Sequence, residues 1–371
     1  MHVALFPDDP APIDRGRRRR RVGWILLAVA LVGAVVFAMV PAPYVIESPG
    51  PVFNTLGRVD DGSKTVPLID IPDQKTYPTS GALDMLTVNL YGDRENSPSW
   101  LEVAQAWLDP SQAVQPIDDV YPQGETVQQS NKQDAIDMQN SQQDAIAAAL
   151  TALGYPVTGT LSVGGFTAGS PADGVLKAGD TIVSANGQKV DSVQGLRAIV
   201  AAVGAAHPLS MVIVRDKVQQ TVQLTPVMST DSPSVPIVGI YPSVAYTFPF
   251  TVKIQLQNVG GPSAGQMFAL GIIDKLTAGQ LNGGKKVAGT GTIDGDGDIG
   301  AIGGIRQKLY GARNAGATWF LAPYSNCDEV TGHIPSGIRV LAVKTLTDSL
   351  KALTAISSGS STSGLLTCPA K

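Results

Sequence analysis

Two residues stand out for the chemistry they could do, Ser263 and Lys308. Ser263 lies in NVGGPSAGQMFALG, residues 258–271, at the expected start of a helix. Pro262 suits a first helical turn, because its missing N–H has no partner to lose there. The glycines give up backbone entropy, and they suit a place where backbone and substrate must come close. A hydroxyl at the positive end of a helix would react where developing negative charge is stabilised. The N–H groups of Gly260, Gly261 and Ser263 are the candidate oxyanion donors, since Pro262 cannot donate. Ser263 is therefore the candidate nucleophile.

Lys308 lies in GGIRQKLYGARNAG, where Ile305, Leu309 and Ala312 fall on one helical face. Lys308 shares that apolar face, while Arg306, Gln307 and Arg313 point elsewhere. A buried amine loses the hydration of its charged form, so its pKa is expected to fall from the free value of ~10.4. Such a lysine can serve as a general base, and a serine beside it needs no histidine. Each segment has a bland alternative. Many helices begin with serine after proline, and a lysine in an apolar stripe can snorkel to water.

Two other stretches imitate known loops. GQLNGGKK at 279–286 has phosphate-loop spacing, but Lys286 stands where a magnesium-binding Ser or Thr is needed. DGDGD at 294–298 begins like a calcium loop, yet its twelfth position is Ile305 rather than Glu, so a β-turn is expected. With only His2, His207 and His333, a histidine-rich metal centre is excluded. No metal or cofactor is expected.

These residues must be positioned by a chain of 371 residues, long enough for two or three domains. Its net charge of −4 argues against a nucleic-acid role. Arg15 and the run Arg17 to Arg21 precede VGWILLAVALVGAVVFAMV, residues 22–40, which carries no charge. That is long enough to span a bilayer, and the arginines place the N-terminus in the cytoplasm and everything after Pro41 outside. The apolar run is long for a signal peptide and AMVPAP lacks a clean cleavage site, so an uncleaved anchor is expected. Cys327 and Cys368 then lie outside the cytoplasm, where two thiols point to a disulfide that staples the C-terminal tail. Residues 44–92 alternate short β-like runs with turns, and DAIDMQNSQQDAIAAALTALG at 134–154 has helical spacing ended by Gly154.

The series SPAD…L-KAGD-IVSANGQKV, within residues 157–228, resembles PDZ domains of the kind attached to bacterial proteases. The resemblance implies a groove between the first strand and the 192–203 helix, where an extended peptide adds as a strand. Residues 236–353 resemble the proteolytic domain of the Lon family through GGPSAG, AGTGTID and IGGIRQKLYGARNAGA. That resemblance implies Ser263 as nucleophile, Lys308 as base and Thr290 as the residue orienting the amine. It also implies that a ring-shaped homo-oligomer can form. Two positions depart from the family pattern: Gly260 replaces an Asp before Gly-Pro-Ser, and Thr292 stands where an acid is usual.

Anchor, PDZ segment and Lon-type segment in this order resemble the ATP-independent Lon-like proteases of Gram-positive bacteria. The expected fold is α+β and multidomain. It comprises a basic tail (1–21), a transmembrane helix (22–40), a β/helical region packing on the protease (41–156), the PDZ domain (157–228), the proteolytic domain (236–353) and a tail (354–371). The expected protein is a cell-membrane serine endopeptidase with its catalytic domain outside the cytoplasm, acting on flexible protein or peptide substrates. The alternative is a non-catalytic PDZ adaptor on a degenerate protease scaffold.

Overall fold

The computed structural model describes residues 15–60, 62–121, 127–167, 169–190, 192–229, 234–257 and 259–369. The chain divides into two units, one formed by residues up to 48 with 89–127, the other by 49–88 with 128–371.

In the first unit, helix α1 (Arg15–Met39) carries the apolar run. It begins at Arg15, ahead of the expected boundary after residue 21, because the arginines that follow Gly16 have good helix propensity. Residues 1–14 of the expected tail lie outside the described residues. Residues 19–39 are long and apolar enough to cross a membrane. Strands β1 (Tyr44–Asn54) and β2 (Ala82–Tyr91) each run from one unit into the other. Helix α2 (Trp100–Leu108) is closed by a capping box, in which Ser99 and Glu102 satisfy each other's backbone N–H groups. Strand β3 (Ala113–Pro116) pairs antiparallel with the start of β1, from Tyr44↔Pro116 to Glu47↔Ala113. Ala42, Ile46, Val103 and Ala106 form the small core of this unit.

The second unit holds a long helix, α3 (Val127–Ala152), whose polar first half gives way to the buried run Ala145–Leu150. It then builds a six-stranded sheet from β4 (Thr158–Phe166), β5 (Thr181–Ala185), β6 (Leu209–Arg215), β7 (Val218–Leu224), β8 (Ile240–Thr247) and the short strand Gln188–Lys189 paired with β5, with helix α4 (Val193–Val203) against it. The strand order is β7-β6-β5-β4-β8. Leu161, Ile182, Leu209, Met211 and Ile213 from the strands pack against Leu196, Ile199 and Val200 of α4.

Two expectations fail here. Strand β8, expected in the proteolytic segment, pairs over its whole length with β4. And β4, expected to offer its edge to a peptide, has neighbours on both sides, so the open edge belongs to β8. A strand that returns from beyond position 236 to close the sheet leaves no local signal in the sequence.

The rest of the unit comprises α5 (Gly265–Leu276), β9 (Lys286–Gly289), the short pair β10 (Thr292–Ile293) and β11 (Ile299–Gly300), α6 (Ile305–Asn314), β12 (Trp319–Pro323), β13 (Arg339–Val343) and α7 (Leu346–Ser358). β9, β12, β13 and the first half of β2 pair in parallel, in the order β13-β12-β9-β2. Their near-continuous burial suits strands covered on both faces. Residues 49–88, expected to pack against the protease, therefore supply a strand of its central sheet, and residues 89–127 belong to the other unit. Met267, Phe268, Leu270 and Ile272 of α5 fill the core between this sheet and α7.

Candidate active site

Ser263 sits in the turn just before α5, whose N-cap position is Ala264. Gly261 has φ +79°, a conformation that only glycine adopts without strain. At Gly260 a Cβ would come within 2.6 Å of the Asp134 Cβ on α3. That contact gives a physical reason for the departure from the usual Asp, since α3 occupies the space a side chain would need.

α3 also holds the turn by two hydrogen bonds. The Gly261 N–H donates to the Asp134 carbonyl at 2.9 Å, and the Ser141 hydroxyl donates to the Pro262 carbonyl at 2.9 Å. The first of these corrects the expected oxyanion hole, because the Gly261 N–H is already engaged. At the helix start, the N–H groups of Ser263, Ala264 and Gly265 have no acceptor among the described residues. Those of Ala264 and Gly265 are among the donors that any helix leaves free at its first turn, and that of Ser263 lies directly before them.

Lys308 lies on α6, the helix after Gly304, which takes φ +66°. The lysine is 3% exposed, so its amine does not snorkel to water. Gln307, expected to point away from the core, is buried as well, so α6 is covered over a wider arc than one stripe. The Lys308 Nζ donates to the Ser263 Oγ at 2.9 Å and to the Thr290 Oγ1 at 3.3 Å. Thr290, 1% exposed, donates its own hydroxyl proton to the Ser263 carbonyl at 2.9 Å, and the Gly291 N–H donates to the same oxygen at 2.9 Å. Thr290 thus touches both members of the pair, fixing the backbone of one and the amine of the other.

The segment that leads into α6 is held by Asn326, which the sequence alone did not single out. Its Oδ1 accepts from the Ile302 N–H and its Nδ2 donates to the Ile302 carbonyl, both at 2.9 Å. The neighbouring Cys327 forms a disulfide with Cys368, with Cα atoms 5.0 Å apart. The DGDGD stretch is the turn between β10 and β11, organised by the Asp294 carboxylate, which accepts from the Asp296 and Asp298 N–H groups.

A second feature is a cavity of about 220 Å³ between the open strand β8 and α4. It is lined by Ser192, Val193, Arg197, Ser243, Val244 and Tyr246 from those two elements, and by Asp144, Asp294 and Asp296 beyond them. The Tyr246 hydroxyl donates to the Asp144 carboxylate at 2.8 Å. Burial pushes the Asp144 carboxyl up to about 6, against the opposing effect of that hydrogen bond.

The family model described as the Lon protease (S16) C-terminal proteolytic domain matches residues 258–355. The PDZ domain model matches residues 131–214. The Lon protease of Fusobacterium nucleatum is 35% identical over 91 residues, 24% of this chain and 12% of that protein. Lon protease 2 of Herpetosiphon aurantiacus is 40% identical over 87 residues, 23% of this chain and 10% of that protein. The chain thus spans only about a tenth of the curated relatives it matches. The PDZ domain of an SdrC-like protein from Listeria monocytogenes aligns at 20% identity and a TM-score of 0.21, covering 22% of this chain and 85% of that domain. This chain carries a Lon-type C-terminal proteolytic domain and a PDZ domain.

Proposed function

We propose that the protein is a membrane-tethered serine endopeptidase, working outside the cytoplasm without nucleotide on flexible or unfolded chains. The observation that carries this reading is the 2.9 Å contact between a buried lysine amine and the hydroxyl at a helix start. In the proposed reaction, neutral Lys308 takes the Ser263 proton as Oγ attacks the scissile carbonyl. The oxyanion collects at the N–H groups of Ser263 and Ala264, in the positive field of α5. Lys308 then returns the proton to the leaving amine, and the C–N bond breaks. Water, deprotonated by the same amine, releases the acyl group and regenerates the hydroxyl. Thr290 is the positioning residue for both partners.

The open edge of β8 is the place where an extended substrate segment would add to the PDZ sheet, with backbone hydrogen bonds giving affinity. The same edge favours the second reading, a peptide-binding adaptor without hydrolysis. The two are separated by a fluorophosphonate probe and a disordered protein substrate, applied to the full chain in detergent micelles without nucleotide. The peptidase reading expects labelling at Ser263 and cleavage, both lost in Ser263→Ala and Lys308→Ala. Cleavage that persists in both variants, or an unlabelled Ser263 with no cleavage, rejects it.

A further inference from the structure

Helix α2 carries large apolar side chains that are exposed on its outer side. Val103 and Ala106 point into the core of their unit, while Leu101, Trp107 and Leu108 are 41%, 59% and 86% exposed, Trp107 at the edge of the core side with its ring against Tyr44, centroids 6.2 Å apart. Leu101 and Leu108, two turns apart, lie on one side of the helix with Ala104 between them. Leu90 and Tyr91, at the end of β2 in the same unit, are exposed too. Beyond α1 and Val40, these five large apolar residues exposed in one small unit call for an occupant.

The backbone indicates which occupant fits. The Trp100 N–H donates to the Val40 carbonyl, the Ala42 N–H donates to the Pro98 carbonyl at 2.7 Å, and Pro41 forms a β-bridge with Ser99. The first turn of α2 is thereby tied to the residues that directly follow α1. Phe37 of α1 also meets the Trp100 ring, with centroids 6.1 Å apart. The candidate span in α1, residues 19–39 with three arginines at its start, is about 31 Å long at 1.5 Å per residue, close to the thickness of a hydrocarbon core. If α1 spans, its end and the start of α2 share the level of the lipid headgroups.

The chemistry of α2 suits that level. Tryptophan and tyrosine concentrate where lipid meets water, because an apolar ring and a polar tip are both accommodated there. The one charge on α2 is Glu102, and its carboxylate is occupied by the Ser99 hydroxyl and N–H and by the Tyr91 hydroxyl. No basic residue lies on the helix, so its attraction to a membrane is hydrophobic and needs no anionic lipid.

We propose that α2 is an interfacial membrane helix, inserting Leu101, Trp107 and Leu108 into the headgroup region beside α1. This rests on the reading of α1 as a membrane span. A single span lets its domain swivel about the helix axis, whereas a span plus an interfacial helix fixes the rotation of this unit against the bilayer.

The test is electron paramagnetic resonance on the full chain in phosphatidylcholine vesicles. Nitroxide labels are attached singly at Leu108→Cys, at Val32→Cys in α1, and at Gln219→Cys on the exposed β7. All three positions are exposed, and both native cysteines are disulfide-bonded. The expected result is a label at 108 severalfold more accessible to oxygen than to a water-soluble nickel complex, relative to 219, and shallower than the label at 32. Added phosphatidylglycerol should leave the ratio unchanged.

A water-exposed label at 108, with 32 in lipid, overturns the interfacial helix and leaves the span standing. A label at 108 shielded from both reagents and broadened by a second label overturns it in favour of contact between copies. Water exposure at both 108 and 32 removes the span and the proposal together.

Discussion

Lys308 meets Ser263 directly, so the pair's chemistry depends on the protonation of one amine. As an ammonium it can only donate to the Ser263 Oγ. As a free amine it accepts the hydroxyl proton along the same line. Probe labelling of Ser263 should therefore rise with pH as Lys308 loses its proton, and Lys308→Met should label at a slow, flat rate across the same range. A bell or a fall with rising pH would remove the lysine as base. Substitution of either residue should lower kcat by at least about a thousandfold, as expected where nucleophile and base act as a unit. Thr290→Val keeps shape but deletes one hydroxyl that holds the Ser263 carbonyl. With a buried hydrogen bond worth about 1–1.5 kcal/mol, kcat should fall about tenfold with KM little changed, while Thr290→Ser should restore most of it. A KM effect alone would mean that Thr290 supports substrate binding instead.

At the scale of elements, α3 links the two candidate sites. Its residues Asp134 and Ser141 hold the turn before α5, and one turn further on Asp144 accepts from Tyr246 on β8. None of this was legible in the sequence, which marked 134–154 only as a helix, because partners more than a hundred residues away leave no periodicity. The pairing of β8 with β4 and the Asn326 clamp, though nearer in sequence, left no periodic signal either. Ser263 and Lys308 were legible because each sits in a local pattern, a glycine-rich helix start and a cation inside an apolar stripe. The Asp144 carboxyl titrates near 6 in the folded protein against a usual value of 3.8. The folded state therefore holds a proton that the unfolded chain has released, and stability falls as pH rises from about 4 to 6. Asn at this position does not titrate and still accepts from Tyr246. Relative to the parent, Asp144→Asn should gain stability across that window, by up to about 3 kcal/mol, in denaturant titrations at pH 4, 5, 6 and 7. A constant difference at all four would place Asp144 in solvent.

For the whole molecule, the cysteine pair connects the membrane topology to stability. In the proposed topology, with the arginines of α1 on the cytoplasmic side, the folded units lie in the oxidising compartment where a disulfide between residues 41 positions apart persists. The enclosed stretch includes β13 and α7, so the cross-link restrains the unfolded chain over a long loop. Its removal should lower stability by about 2–4 kcal/mol. The loss should leave the native tail in place, because the Ala342 N–H donates to the Leu366 carbonyl and the Thr331 hydroxyl donates to the Pro369 carbonyl, each at 2.9 Å. Reduction should thus shift the denaturation midpoint of the purified chain downward, with Ser263 labelling near the oxidised rate below the transition. In intact cells, Cys327 and Cys368 should resist an alkylating reagent until a reductant is added. Thiols that alkylate at once in freshly lysed cells would contradict both the cross-link and the outward orientation. If the thiols are protected but stability is unchanged by reduction, the orientation holds and the tail is fixed by its hydrogen bonds and packing alone.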